Sequence, residues 1–421
     1  MKRIYLSLFL ICFIMTGLVK AQTYNIVIKG GHVIDPKNNI NEVMDIGVKD
    51  GKIVLVSKKI DEKEGIQVVN AKGMYVTPGL IDIHVHTYQG TNMDQQYMNG
   101  PNSLTPDGFT FRVGVTTVVD AGCAGWRTFP AFKTQTIDKS QTRVLALLNI
   151  VGEGMRGGPF EQNLKDMNPK QLAEFAKNHS EDVVGIKLAH YSGHDWSAVK
   201  LAEEAARLAD MPLMVDLGGA EPPLSLDTLY SQILKPGDIY THCFAQLGGG
   251  RDYIIDTQTG LPKNFTIEAR KKGIIFDVGY GGISLAYSQA IPAVKSGFYP
   301  DAISTDLHIG SMNGAMKDML TTMSKFMAMG MDLHSVIDAS TWKPAKIIQR
   351  EELGNLSVGS EADIAILSIR EGKFGLFDYT GAKLETDKKL ECEMTIRAGK
   401  IVYDLNGIAN PIFLTRTRYT H

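Results

Sequence analysis

The chain has 421 residues, with 44 Lys and Arg against 46 Asp and Glu, a formal charge of −2 and a pI near 6.6. That balance supplies no basic field for a phosphate backbone or an anionic lipid surface, so nucleic acid is excluded as the expected partner. The cysteines Cys12, Cys123, Cys243 and Cys392 are widely spaced without a paired pattern, which implies no disulfide framework.

Lys2 and Arg3 precede an apolar run over 4–18, and Val19-Lys20-Ala21-Gln22 follows. A basic start, an apolar centre and a small residue at a cleavage point read as a secretory signal peptide over 1–21. The run is shorter than the roughly 20 residues of a membrane span. The mature chain is therefore expected to be exported, periplasmic or secreted, without a stable span. About 400 residues remain, enough for one large domain and one small one.

From Tyr24 to Val76, short alternating runs are broken by turn pairs such as Gly30-Gly31 and Asp50-Gly51, the signature of antiparallel hairpins. The same texture returns after 354, with an Ala398-Gly399 turn. The two ends, 22–77 and 353–421, are expected to pair into one small β-sandwich domain. Between 78 and 352, apolar runs at 80–85, 116–120, 144–150, 183–188, 213–217, 239–242, 274–278 and 302–305 alternate with helical stretches such as 169–178, 198–209 and 314–329. Eight βα repeats over this length predict an α/β fold, a (β/α)8 TIM barrel of about 250 residues. An open doubly wound sheet is the alternative, but Gly248-Gly249-Gly250 lacks the spaced dinucleotide form.

In such a barrel the site lies at the C-terminal ends of the strands, and ligand-type residues gather there in this sequence. Strand one ends in Asp82-Ile83-His84-Val85-His86, where alternation turns both imidazoles to one side. Strand four, Val184-Gly185-Ile186-Lys187-Leu188, places a lysine in an apolar run. A buried ammonium is costly, so either a carboxylate pairs with Lys187 or its neutral amine reacts with carbon dioxide to give a carbamate. Strand six ends in Tyr240-Thr241-His242 and strand eight in Ser304-Thr305-Asp306-Leu307-His308. No G-x-S-x-G elbow occurs, and Cys243 reads as a small buried residue, so covalent catalysis is disfavoured.

Taken together, Pro78-Gly79-Leu80-Ile81-Asp82-Ile83-His84-Val85-His86, the Gly-Ile-Lys strand, Thr241-His242 and Ser304-Thr305-Asp306 resemble the amidohydrolase superfamily. Val113-Gly114-Val115-Thr116-Thr117-Val118-Val119-Asp120-Ala121-Gly122 is similar to its amidohydrolase/deacetylase branch, near dihydroorotase-like enzymes. The resemblance implies that His84, His86 and Asp306 hold one ion and His242 a second. Lys187, as a carbamate, would bridge the two. It also implies two zinc ions, or manganese, with carbon dioxide consumed by Lys187. Asp306 would be general base and then acid for a metal-activated water attacking an ester or amide of a small molecule. Where the family has a strand-five histidine, this chain has Asp216. Asp216 either ligates the second ion, adding a negative charge that favours a harder metal, or pairs with a cation, leaving one metal. Tyr280 also departs from a common histidine. His308, Arg127, Arg156 and Tyr280 are candidate substrate contacts. Opening of a cyclic amide, or a barrel scaffold that has lost catalysis, are the alternatives, and a homo-oligomer is compatible with the sequence.

Overall fold

The computed structural model describes residues 22–90, 97–247 and 251–411, so the signal-peptide segment 1–21 lies outside the described residues. The chain opens with β1 (Tyr24–Asp35), β2 (Ile40–Lys49), β3 (Lys52–Ser57), β4 (Gly65–Asn70) and β5 (Tyr75–Pro78). Next come β6 (Leu80–Val85), β7 (Val115–Gly125), β8 (Arg143–Asn149), β9 (Val183–Ala189), β10 (Leu213–Asp216), β11 (Ile239–Tyr240) and β12 (Ile275–Phe276), with helices between most of them. It closes with β13 (Ile364–Phe377), β14 (Lys383–Arg397) and β15 (Lys400–Asp404).

Both ends of the chain enter one eight-stranded sheet, ordered β15-β14-β13-β5-β1-β2-β3 with β4 on β1. The β2–β3 turn falls on Asp50 and Gly51, whose φ angles of 50° and 78° match the left-handed pair that a two-residue hairpin needs. Ile26, Ile28, Val33, Ile46, Val76, Ile364, Ile366 and Met394 form the core of this sheet.

The second sheet is parallel, in the order β12-β11-β10-β9-β8-β7-β6. It curls: one buried cluster draws Ile81 and Ile83, Val119, Leu147, Val184, Met214 and Ile239 from six successive strands, together with Ala302. Two isolated parallel bridges, Asp277 to Ala302 and Val85 to Leu307, link the edges of the sheet through segment 302–307. Strands β11 and β12 are two residues each, shorter than the apolar runs that announced them. Positive φ at His242, Gly279 and Asp306 turns the backbone out of the ladder just beyond these strands. The helix expected over 314–329 starts at Met319, where Asp318 accepts from Thr321 N and caps it. No helix among the described residues is long and apolar enough to cross a membrane.

Polar contacts tie the two parts of the chain together. Arg143 of β8 pairs with Glu361 at 2.9 Å and Asp363 at 2.8 Å beside β13. The far end of β13 reaches the opposite rim, where Tyr280 OH donates to Phe377 O at 3.2 Å and Tyr287 OH to Leu376 O at 2.9 Å. Lys325, on the helix Met319–Met329, is buried beneath this contact and donates to Tyr280 OH at 2.6 Å. Burial, reinforced by Lys317, pushes its ammonium down to about 7.

An unfolded lysine keeps its proton to about pH 10.4. Between pH 7 and 10 the unfolded chain therefore binds more protons, and stability rises with pH. Relative to Lys325→Met, the wild type is expected to gain about 2 kcal/mol between pH 7 and 9. Chemical denaturation at both pH values checks this; an equal pH response in the two proteins contradicts it.

Candidate metal centre

Six side chains from the ends of four strands and segment 302–307 converge at one end of the parallel sheet. His84 Nε2 lies 3.3 Å from Lys187 Nζ and 3.6 Å from Asp306 Oδ1, and His86 Nε2 lies 2.8 Å from the same oxygen. His84, His242 and Asp306 offer ligand atoms all within 4.8 Å of one another. His242 Nε2 is 3.1 Å from Asp216 Oδ2. All six are buried.

The rings are held from behind. Thr241 Oγ1 donates to Asp277 Oδ2 at 2.7 Å, so it accepts from His84 Nδ1 at 2.9 Å, leaving the His84 Nε2 lone pair facing the centre. His242 Nδ1 donates to Gly279 O at 2.5 Å, with the same result. Only glycine fits at 279, where φ is +46° and a Cβ would lie 2.2 Å from Thr241 Oγ1. His86 Nδ1 lies 3.1 Å from Cys123 Sγ, whose thiol burial pushes well above its ordinary value.

Burial, and then the charge of Lys187, push the His84 imidazole down to about 3. Burial raises the Asp306 carboxyl, but the imidazoles of His84, His86 and His308 outweigh it and hold the group well below the carboxylate range. Burial lowers the Lys187 ammonium. Lys187 has no ion pair among the described residues; its Nζ meets only His84 and, at 3.5 Å, Met214 Sδ. Asp306 Oδ1 is buried without a hydrogen bond among the described residues. Imidazole lone pairs and an orphaned carboxylate oxygen facing each other fit a divalent cation.

Asp216 has further neighbours that sequence reasoning missed. Arg251 Nη2 donates to its Oδ1 at 2.7 Å, and His190 Nε2 lies 3.3 Å from its Oδ2. His190 Nδ1 lies 3.2 Å from Glu161 Oε1. Burial lowers the His190 imidazole, but Asp216 and Glu161 outweigh this and bring it up to about 10. Strand parity puts Lys187 and Ala189 on one face and aims His190 at the other; its φ of +57° reverses that. Arg251 follows a glycine run that carries no positional signal. Left-handed φ also occurs at His242 and Asp306, and strain of this kind gathers at functional sites.

A cavity of about 470 Å³ opens onto these groups. His84, His86, Asp216, His242, Asp306 and His308 line it, with Tyr97, Met98, Leu217, Leu247 and Ile283. Of the candidate substrate contacts only His308 is there. Arg127 is instead held by Glu153 at 2.9 Å and Asp166 at 2.6 Å, and Arg156 lies over the Phe160 ring at 4.0 Å. Tyr280 is buried behind the cavity, between Lys325 and Phe377, because its hydroxyl bridges the helix and the hairpin end.

Residues 283–402 match the Amidohydrolase family, a stretch that includes Asp306. A deacetylase of Brucella anthropi is 34% identical over 341 residues, 79% of this chain and 81% of that protein. The crystal structure of an adenine deaminase superposes with a TM-score of 0.81 at 29% identity, covering 90% of this chain and 100% of the other. That of a dihydroorotase gives 0.78 at 28%, covering 90% and 99%. The parallel sheet, the convergent imidazoles and carboxylates at its mouth, and these likenesses lead to one assignment: the chain belongs to the amidohydrolase family and is a hydrolase.

Proposed function

We propose that this chain removes an acyl group, such as acetyl, from a small ester or amide at a centre of two divalent ions, zinc or manganese. The observation that carries this reading is Lys187, fully buried beside His84 with no carboxylate partner among the described residues. Burial disfavours the ammonium form of a lysine so placed, and its neutral amine adds to carbon dioxide, releasing a proton and leaving a carbamate that would hold both cations. His84, His86 and Asp306 would hold one ion, His242 and Asp216 the other. The catalytic domain in this reading is a closed (β/α)8 barrel over 78–352 with segment 302–307 as its eighth strand, and 22–77 with 353–421 form the companion β-sandwich domain. The likeness to the Brucella deacetylase over four-fifths of both chains supports acyl removal.

A divalent ion bound there lowers the pKa of a water from about 15.7 to about 7 and polarises the acyl carbonyl. The ionised Asp306 takes a proton from the attacking water and returns it to the departing nitrogen or oxygen, a role worth about 10²–10⁴-fold in rate. Thr241 and Gly279 fix the rings of His84 and His242, so the imidazoles orient ligands rather than move protons. Met98, Leu217, Leu247 and Ile283 give the acyl group an apolar wall, and a cavity of about 470 Å³ admits only a small molecule. The likeness to a dihydroorotase favours a second reading, opening of a cyclic amide at the same centre.

Chelation is expected to abolish turnover, and zinc or manganese to restore it, in a panel of N-acyl amino acids, O-acyl hydroxy acids and cyclic imides. Acetate release identifies the first reading and ring opening the second; a folded, metal-loaded protein inert on the whole panel contradicts both. Thr241→Val, which frees the His84 ring, is expected to weaken metal binding about 10–100-fold, read by competition with a chromophoric chelator. Export, supported by the basic and apolar start of the sequence, predicts that N-terminal sequencing of the mature protein begins at Gln22.

A further inference from the structure

We propose that His190 is a protein ligand of the second divalent ion and supplies the imidazole that strand five lacks. Asp216 and His242 complete the set, with Glu161 and Arg251 as positioning residues. The inference rests on the metal reading above and names the residues of its second site.

The geometry around Asp216 is that of a ligand set. His242 commits its Nδ1 proton to the Gly279 carbonyl, so its Nε2 lone pair faces Asp216 Oδ2 at 3.1 Å. His190 points Nδ1 at Glu161 Oε1 at 3.2 Å and Nε2 at the same Asp216 oxygen at 3.3 Å, so a neutral ring that donates to Glu161 would present its Nε2 lone pair there. Lone pairs opposed at this distance are repulsive unless a proton or a metal ion joins them, and a divalent ion that binds here would displace the proton. Two ligand atoms about 2.0–2.1 Å from a tetrahedral ion lie about 3.3 Å apart, close to the spacing of each imidazole nitrogen from Asp216 Oδ2. The carboxylate behind His190 is the usual partner of a metal-bound imidazole, fixing its tautomer and raising its basicity.

Charge is balanced as well. Exchanging a neutral histidine for Asp216 adds one negative charge, and Arg251, donating to Oδ1 at 2.7 Å, removes it while leaving Oδ2 free for the ion. Arg251 also donates to the Leu217 carbonyl, which anchors the guanidinium beside Asp216. His190 is 29% exposed, and the cavity is where that exposed edge lies. Its left-handed backbone is what brings the ring to this wall.

The same φ of +57° makes His190→Gly compatible with the backbone, so the variant is expected to keep the wild-type fold, read by circular dichroism of both proteins. Zinc content of the dialysed mature protein is expected to be two equivalents in the wild type and one in His190→Gly. Added imidazole should return the second. In cobalt-substituted protein the visible d–d bands of one site should be lost and then recovered in parallel. Glu161→Gln should keep both ions but weaken one by about 10–100-fold. Two equivalents retained by His190→Gly would overturn the assignment of His190 alone. A single equivalent in the wild type would overturn the second site, and a wild type that takes up no zinc or cobalt would overturn the metal reading with it.

Discussion

The amine of Lys187 is fully buried without an ion pair among the described residues, and the mouth of the parallel sheet is arranged around it. Glycine at 122, with φ of +92°, lets the side chain pass, since a Cβ there would come within 2.6 Å of Lys187 Cγ. Around the lysine end stand the imidazoles of His84 and His242 and the carboxylates of Asp216 and Asp306, groups that either protons or metal cations can hold together. An interior of this kind is costly for a protein that only needs to be stable. It is economical for one that needs fixed donors around a charged centre.

Preorganisation comes from the layer behind. Asp277 receives hydrogen bonds from Thr241 at 2.7 Å and Ser304 at 2.6 Å, and through Thr241 it governs the ring of His84. Asp82 accepts from Thr305 N at 3.0 Å and so anchors the backbone next to Asp306. Asp82 lies in β6 and Asp277 follows β12 directly, bridged to Ala302, which keeps the ligands in place before any ion arrives. The cost is local: His190, His242 and Asp306 each adopt a left-handed backbone that the surrounding packing must sustain.

The second sheet contributes beyond its own core. The end of β13 seats on Tyr280 and Tyr287, next to Gly282, Ile283 and Ser284 at the cavity rim. Tyr280, expected as a substrate contact, is instead explained by packing. Its hydroxyl joins Lys325 to the hairpin, and the segment that ends the seventh strand is braced from outside rather than offered to a substrate.

Much of this was legible in the chain itself. Alternating runs and turn pairs at both ends, and apolar strands ending in His84, His86, Lys187, His242 and Asp306, follow from local physics: period-two burial, and the cost of polar groups in apolar runs. Asp216 is named only through the family resemblance, as the residue standing where a strand-five histidine is expected. Its company could not be named even so. His190 depends on one backbone angle that inverts strand parity, Arg251 arrives from a loop 35 residues away, and Arg127 turns from the cavity to two carboxylates that no spacing rule connects to it. Periodicity in the sequence fixes which strand ends carry ligand-type residues; the fold alone determines which of them share an oxygen, because that depends on where loops return and on angles that a sequence pattern does not encode.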